Sequence, residues 1–169
     1  IARYRKIHLF DALGHRESET MVAGSTLPAL FSIKGFSLGL AVCYDLRFPE
    51  LFREQAKNGV DGILVPAAWY AGPLKEEQWL TLLQARAIEN TIYTVGVNFC
   101  SPPFAARSAM FDPFGVRLVE LGEEDSLATV AIKKERLAEI RGRMPTLEHI
   151  RHDIFSHPRD IGQTEDIGD

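Results

Sequence analysis

The stretch that most constrains this chain is Phe36-Ser37-Leu38-Gly39-Leu40-Ala41-Val42-Cys43-Tyr44-Asp45-Leu46-Arg47-Phe48-Pro49-Glu50. The apolar run over 36–42 reads as a strand buried on both faces, which needs neighbouring strands and a helix layer. It stops at Cys43. A polar turn follows, and Pro49-Glu50 opens a predicted helix over 49–58, with Gly59 as its stop. The succession then repeats. Residues 61–66 read as a second buried strand, 75–90 as a long helix, and 92–97 as a third strand. Trp79, Leu82, Leu83 and Ala87 fall on one face of that long helix, and Glu76 and Glu77 sit in its first turn.

Around this centre the pattern is more local. Residues 2–10 alternate like a strand, and 11–26 read as a loop punctuated by Gly14 and Gly24. Lys34-Gly35 joins a short strand at 30–33 to the 36–42 run as a hairpin. Residues 107–111 and 116–121 form a second predicted hairpin around the turn Asp112-Pro113-Phe114-Gly115. A strand at 127–132 and a helix at 133–141 complete the ordered part, and a polar tail is expected from 156. Alternation followed by a meander predicts an α/β layered fold with a mixed sheet. The 169 residues suffice for one domain, read as 1–155 plus the tail 156–169.

Composition excludes some classes of partner. Apolar residues make up 46%, charged residues 25%, and the net charge is −4 with no basic stripe, so nucleic acid is not an expected partner. No apolar run has the length of a membrane span. Two cysteines, Cys43 and Cys100, make no disulfide framework, and the expected compartment is the reducing cytoplasm. The chain opens inside an alternating segment and not at Met, as expected of a sequence that begins partway through a longer protein.

Cys43 is the first candidate for chemistry. A cysteine between a strand's carboxyl end and a helix's amino end lies where open α/β sheets bind ligands. The helix dipole and nearby N–H groups there favour a thiolate. Read alone, such a cysteine is more often a buried structural residue. Other chemistries lack support. No G-x-S-x-G and no Gly-rich phosphate loop is present. His149 and His152 make poor metal spacing with anything else, so no metal is expected.

Several segments in order change the weight of Cys43. They are Tyr4-Arg5-Lys6-Ile7-His8-Leu9-Phe10-Asp11, Glu17-Ser18-Glu19-Thr20-Met21-Val22-Ala23-Gly24, and Cys43-Tyr44-Asp45-Leu46-Arg47-Phe48-Pro49-Glu50. Pro66-Ala67-Ala68-Trp69 and Leu83-Gln84-Ala85-Arg86-Ala87-Ile88-Glu89-Asn90 continue the match. Together they resemble the nitrilase superfamily of carbon–nitrogen hydrolases, in the branch of small amidases similar to omega-amidase and deaminated-glutathione amidase. The resemblance implies an αββα sandwich, incomplete at its amino end. It implies a thioester mechanism releasing ammonia, with Cys43 as nucleophile, Lys6 and the Tyr44 N–H as oxyanion donors, and Glu17 positioning Lys6. The general-base glutamate is expected upstream of Ile1. No cofactor is implied. The expected partner is a small amide, and self-association is expected through helices 49–58 and 75–90.

Two positions depart from the family pattern: Gln78 stands where His is usual, and Ala106 where Gly is usual. Trp69, Tyr70 and Arg47 are the candidate substrate-binding residues. Asp45 and Arg47 are expected to pair and shape the turn after Cys43, Arg86 and Glu89 to form a buried or interface ion pair, and Cys100 to be inert. The alternatives to an amidase are a catalytically incomplete module acting in subunit association, and a redox-sensing thiol at Cys43.

Overall fold

The computed structural model describes residues 3–155. Six strands form one mixed sheet whose spatial order follows the chain: β1 (Phe31–Ile33), β2 (Phe36–Leu40), β3 (Gly62–Ala67), β4 (Tyr93–Asn98), β5 (Ala109–Phe111) and β6 (Arg117–Glu120). Lys34 and Gly35 both take positive φ, +48° and +82°, which a tight two-residue hairpin requires, and β1 runs antiparallel to β2. β2, β3 and β4 are mutually parallel. Parallel neighbours need crossovers, and these are α1 (Pro49–Lys57) and α2 (Lys75–Asn90). β4, β5 and β6 then meander antiparallel.

α1 and α2 touch each other and cover one face of the sheet. Phe52, Trp79, Leu83 and Ala87 are fully buried there, against Ile63 and Val65 of β3. Phe52, Leu83, Ile63 and Val65 each contribute about 1.5–3 kcal/mol by leaving water. The fit of α2 is close. A Cβ built on Gly96 of β4 would lie 2.4 Å from Leu83 and 2.5 Å from Trp79. A second cluster, on Tyr93, Met110 and Leu137, is flanked by Phe36, Val95, Val119, Val130 and Ile132. Leu137 comes from α3 (Lys134–Arg143), which ion pairs hold to the body of the domain. Lys134 and Arg141 both reach the Asp61 carboxylate, and Arg136 donates to Asp112 at 2.8 Å. A short α4 (His152–Phe155) ends the described region.

The predicted α/β class with a mixed sheet is what the chain forms, as one sheet and its helix layer. The helix at 75–90 falls where its periodicity placed it. Residues 3–10, expected as a strand, enter no ladder, because their donors go to side chains: His8 N–H to Asp45 and Phe10 N–H to Glu17. Residues 127–132 likewise form no strand, although Val130 and Ile132 pack on the second cluster. The 36–42 run leaves the ladder at Leu40. The expected Asp45–Arg47 pair does not form. Asp45 bonds Tyr4 and His8 instead, and Arg47 bonds Gln78. Arg86 and Glu89 do pair, at 3.0 Å. The tail at 156–169 lies outside the described residues. Among the described residues no helix is long and apolar enough to cross a membrane.

Gly96→Ala should lower stability by about 1–3 kcal/mol, the usual cost of overpacking a filled core. The check is the urea midpoint at unchanged m-value. An unmoved midpoint would contradict the seating of α2 on β4.

Candidate active site

Where β2 ends, the chain turns sharply. Cys43 has φ +49°, a left-handed conformation that costs a residue with a Cβ about 1–3 kcal/mol and needs support from its surroundings. The support is local. Residues Cys43–Arg47 form a 3-10 turn in which the Asp45 N–H donates to Val42 O at 3.0 Å. The Asp45 carboxylate accepts the Val42 N–H at 2.9 Å. Arg86 of α2 donates twice to the Leu46 carbonyl, at 3.1 and 2.9 Å, anchoring the far side of the turn.

The Lys6 segment runs alongside. The Lys6 ammonium donates to Glu17 Oε2 at 2.5 Å, with only 11% of the lysine side chain and 27% of the glutamate side chain exposed. The same Glu17 oxygen accepts the Phe10 N–H at 2.8 Å, so the carboxylate fixes both the ammonium and its strand-like support. Glu17 opens a short 3-10 turn, Glu17–Glu19.

Lys6, Glu17, Cys43 and Tyr44 line one cavity of about 530 Å³, together with Arg47, Trp69 and Tyr70. The residues named from sequence as catalytic or substrate-binding candidates therefore line one cavity. Trp69 belongs both to the core and to the cavity wall: it is 3% exposed, its N–H donates to Asn98 Oδ1 at 2.8 Å, and its indole N–H donates to Lys75 O at 3.0 Å. Tyr70 stacks on His15 with centroids 4.2 Å apart. Gln78, the departure from the family pattern, accepts from the Arg47 guanidinium at 2.7 Å and so holds that side chain over Trp69, 4.7 Å from the ring centre. The second departure, Ala106, has φ +52°, the conformation a glycine would adopt more cheaply. Its carbonyl accepts from Asn98 Nδ2 at 2.9 Å.

Lys75 and Asn98 were not singled out from sequence. Lys75 Nζ lies 4.7 Å from the Trp69 ring and 5.9 Å from Phe10. Its signal was one cation in the acidic first turn of a helix, which reads as solvated. Asn98 ends a buried strand as a polar residue, and that was the available hint. Neither Arg47 nor Lys75 has a carboxylate partner among the described residues. Burial pushes the Lys75 ammonium below its ordinary value, and the Arg47 charge pushes the same way.

Burial works against the thiolate that the helix dipole and nearby N–H groups were expected to favour. Burial pushes Cys43 above the ordinary thiol value. The Lys6 ammonium and the N–H groups of Ala68 and Tyr44 pull it down, while Glu17 pushes it up, and burial outweighs them. Cys100 lies elsewhere, its sulfur 2.7 Å from Asp125. Among the described residues no group of three His, Cys, Asp or Glu side chains is placed to hold a metal ion.

The carbon-nitrogen hydrolase profile matches residues 1–142, so the chain belongs to the carbon-nitrogen hydrolase family. It is 41% identical over 151 residues to the deaminated glutathione amidase of Escherichia coli O157:H7, covering 89% of this chain and 58% of that protein. The NitFhit protein of C. elegans superposes with TM-score 0.81 at 32% identity, covering 90% of this chain and 39% of that one. A mutant amidase from Nesterenkonia sp. AN1 carries the acetamide moiety of fluoroacetamide on its active site cysteine. It superposes with TM-score 0.74 at 32% identity over 89% of this chain and 53% of that one. The chain thus spans little more than half the length of that deaminated glutathione amidase.

In a Cys100→Ser background, iodoacetamide should alkylate Cys43 with an inflection above the ordinary thiol value of about 8.5. Lys6→Met should move the inflection further up, because the lost ammonium favours the thiolate. Rate against pH, followed by mass spectrometry, is the check. A downward move would contradict the assigned electrostatics.

Proposed function

We propose that the protein is an amidase that hydrolyses the linear amide of a small carboxylic acid through a thioester on Cys43. One observation carries the reading: Lys6, Glu17 and Cys43, far apart in sequence, line a single cavity. Its volume of about 530 Å³ lies within the ordinary range of small-molecule sites, about 300–1,000 Å³.

Amide carbonyls are poor electrophiles, so the reaction needs a strong nucleophile and fixed oxyanion donors. The Cys43 sulfur adds to the carbonyl carbon, and the C=O electron pair moves onto oxygen. The Lys6 ammonium and the Tyr44 N–H stabilise that oxygen. The intermediate collapses, the C–N bond breaks, and the nitrogen takes a proton and leaves as ammonia. Water, deprotonated in turn, attacks the thioester. The C–S bond breaks, and the acid and the free thiol are released. The proton transfers require an acid/base group, worth about 10²–10⁴-fold, and the family resemblance assigns it to a glutamate upstream of Lys6. Glu17 pairs with the Lys6 ammonium and holds it in place. The initially protonated thiol fits a mechanism in which this base takes the Cys43 proton only when substrate is bound.

Trp69 and Tyr70 form the apolar wall against the substrate's carbon chain. Arg47 and Lys75, with no carboxylate partner among the described residues, suit a substrate that carries a carboxylate. The deaminated glutathione amidase relative and the cysteine adduct of the Nesterenkonia amidase support this chemistry.

The test uses the full-length protein and ammonia release from small carboxylic-acid amides. Cys43→Ala should abolish turnover, and Lys6→Met should lower kcat by about 10²–10³-fold, the cost of losing an oxyanion donor. Ammonia release undiminished in Cys43→Ala would refute the proposal.

A further inference from the structure

Two segments carry the proposed catalytic pair, and neither is placed by a hydrogen-bonded ladder. Lys6 lies in residues 3–10, which form no strand, and Cys43 lies beyond the end of β2. The hydrogen bonds that join them converge on one carboxylate, beside ring contacts of His8 with Phe48 and of Phe10 with Tyr44. Asp45 is fully buried. Its Oδ1 accepts the His8 N–H at 3.0 Å and lies 2.8 Å from His8 Nδ1. Its Oδ2 accepts the Tyr4 hydroxyl at 2.8 Å and the Val42 N–H at 2.9 Å. Tyr4 and His8 flank Lys6 by two residues on either side, and Val42 and Asp45 bracket Cys43. The His8 ring also stacks flat on Phe48, centroids 3.6 Å apart, just past the same turn.

We infer that Asp45 is a positioning residue that sets the distance between the Lys6 ammonium and the Cys43 sulfur by clamping Tyr4 and His8 of one segment to Val42 of the other. This rests on the reading of Lys6 and Cys43 as oxyanion donor and nucleophile. The physical case is that a buried carboxylate is costly unless its lone pairs are filled. All the donors that fill those of Asp45 come from the two segments the reaction must bring together. A carboxylate needed only to cap its own turn would use the Val42 N–H and leave the other positions to any neighbour. Tyr4 registers the same contact: burial first, then the hydrogen bond to Asp45, keep its hydroxyl protonated well above the ordinary tyrosine range.

The charge of Asp45 gives the test a sign. The charged groups lining the cavity with Cys43 are Lys6, Glu17, Arg47 and Lys75, beside the titratable Tyr44 and Tyr70, and those facing Asp45 are Tyr4 and His8. Removing a nearby negative charge favours a thiolate, so Asp45→Asn would lower the Cys43 inflection if charge alone mattered. Loss of the clamp does the opposite, since the Lys6 ammonium then moves away.

The experiment measures Cys43 alkylation by iodoacetamide against pH, and amide turnover, in full-length protein with Cys100→Ser. In folded Asp45→Asn the inflection should rise, and alkylation at pH 8 should slow by about threefold to tenfold, the scale of losing one nearby opposite charge. kcat should fall with KM little changed. Adding Asp45→Asn to Lys6→Met should shift the inflection no further up, because the group being positioned is already gone. An inflection that stays or falls in Asp45→Asn, or an upward shift that adds fully to that of Lys6→Met, would overturn the inference. If Asp45→Asn does not fold, the Tyr4→Phe/His8→Ala variant keeps the carboxylate, removes the two side-chain contacts that reach it from the Lys6 segment while leaving the His8 backbone N–H, and is judged by the same two criteria. Failure of the amidase reading looks different: Cys43→Ala would keep releasing ammonia whatever the alkylation profiles show.

Discussion

Residues 3–10 have no ladder to hold them; the Gly24 N–H donates to the Lys6 carbonyl at 2.8 Å, and the remaining polar support of the segment comes largely from side-chain acceptors. The Asp45 carboxylate takes up Tyr4 and His8, and the Glu17 carboxylate takes up Lys6 itself and Phe10. Both acceptors are charged, and charge-assisted hydrogen bonds are roughly twice as strong as neutral ones. The arrangement places an ammonium in a largely apolar cavity without a covalent or sheet-borne support. It also means that small changes at two carboxylates move the proposed chemistry more than larger changes in the sheet.

The sheet supplies the other half of the site. β2 and β3 are parallel, so their carboxyl ends open on the same edge, and the segments following both of them, the Cys43 turn and Ala67-Ala68-Trp69, meet there. α2 braces the turn through Arg86 and the cavity wall through the Trp69 indole, whose N–H reaches the carbonyl of its first residue. The left-handed Cys43 is thus held from the sheet side, the helix side and the Lys6 segment at once. Burial disfavours the resting thiolate, and the same walls would shelter the proposed thioester from bulk water, so the proposed mechanism calls for a base acting on demand rather than a standing anion.

Much of this was legible in the sequence where a local rule decides the outcome. Helical spacing of Trp79, Leu83 and Ala87 located α2, Pro49 and Gly59 bounded α1, and Lys34-Gly35 fixed the first hairpin. The failures share a cause. Residues 3–10 and 127–132 alternate as strands do, yet an alternating segment becomes a strand only if its N–H groups find a backbone neighbour. In the first segment those groups bond Asp45 and Glu17 instead. The Asp45–Arg47 pairing was inferred from proximity in sequence, whereas buried carboxylates are satisfied by whatever donors the fold supplies. Lys75 and Asn98 gave at most a weak signal because their contacts are with Trp69 and, for Lys75, Phe10, which only the fold brings near them. The gathering of Lys6, Glu17 and Cys43 was readable through family resemblance, and not through any periodicity.

The central claim is spatial: the Lys6 ammonium and the Tyr44 N–H face the point where a carbonyl oxygen sits once its carbon is bonded to Cys43. A crystal structure of the full-length protein with a short carboxylic aldehyde measures this directly, since a thiol adds to an aldehyde to give a hemithioacetal that mimics the tetrahedral intermediate. The account predicts a bond from Cys43 Sγ to the aldehyde carbon, with the new oxygen about 2.7–3.1 Å from both Lys6 Nζ and the Tyr44 nitrogen. An adduct whose oxygen turns away from Lys6, or an aldehyde bonded elsewhere in the protein, would contradict it.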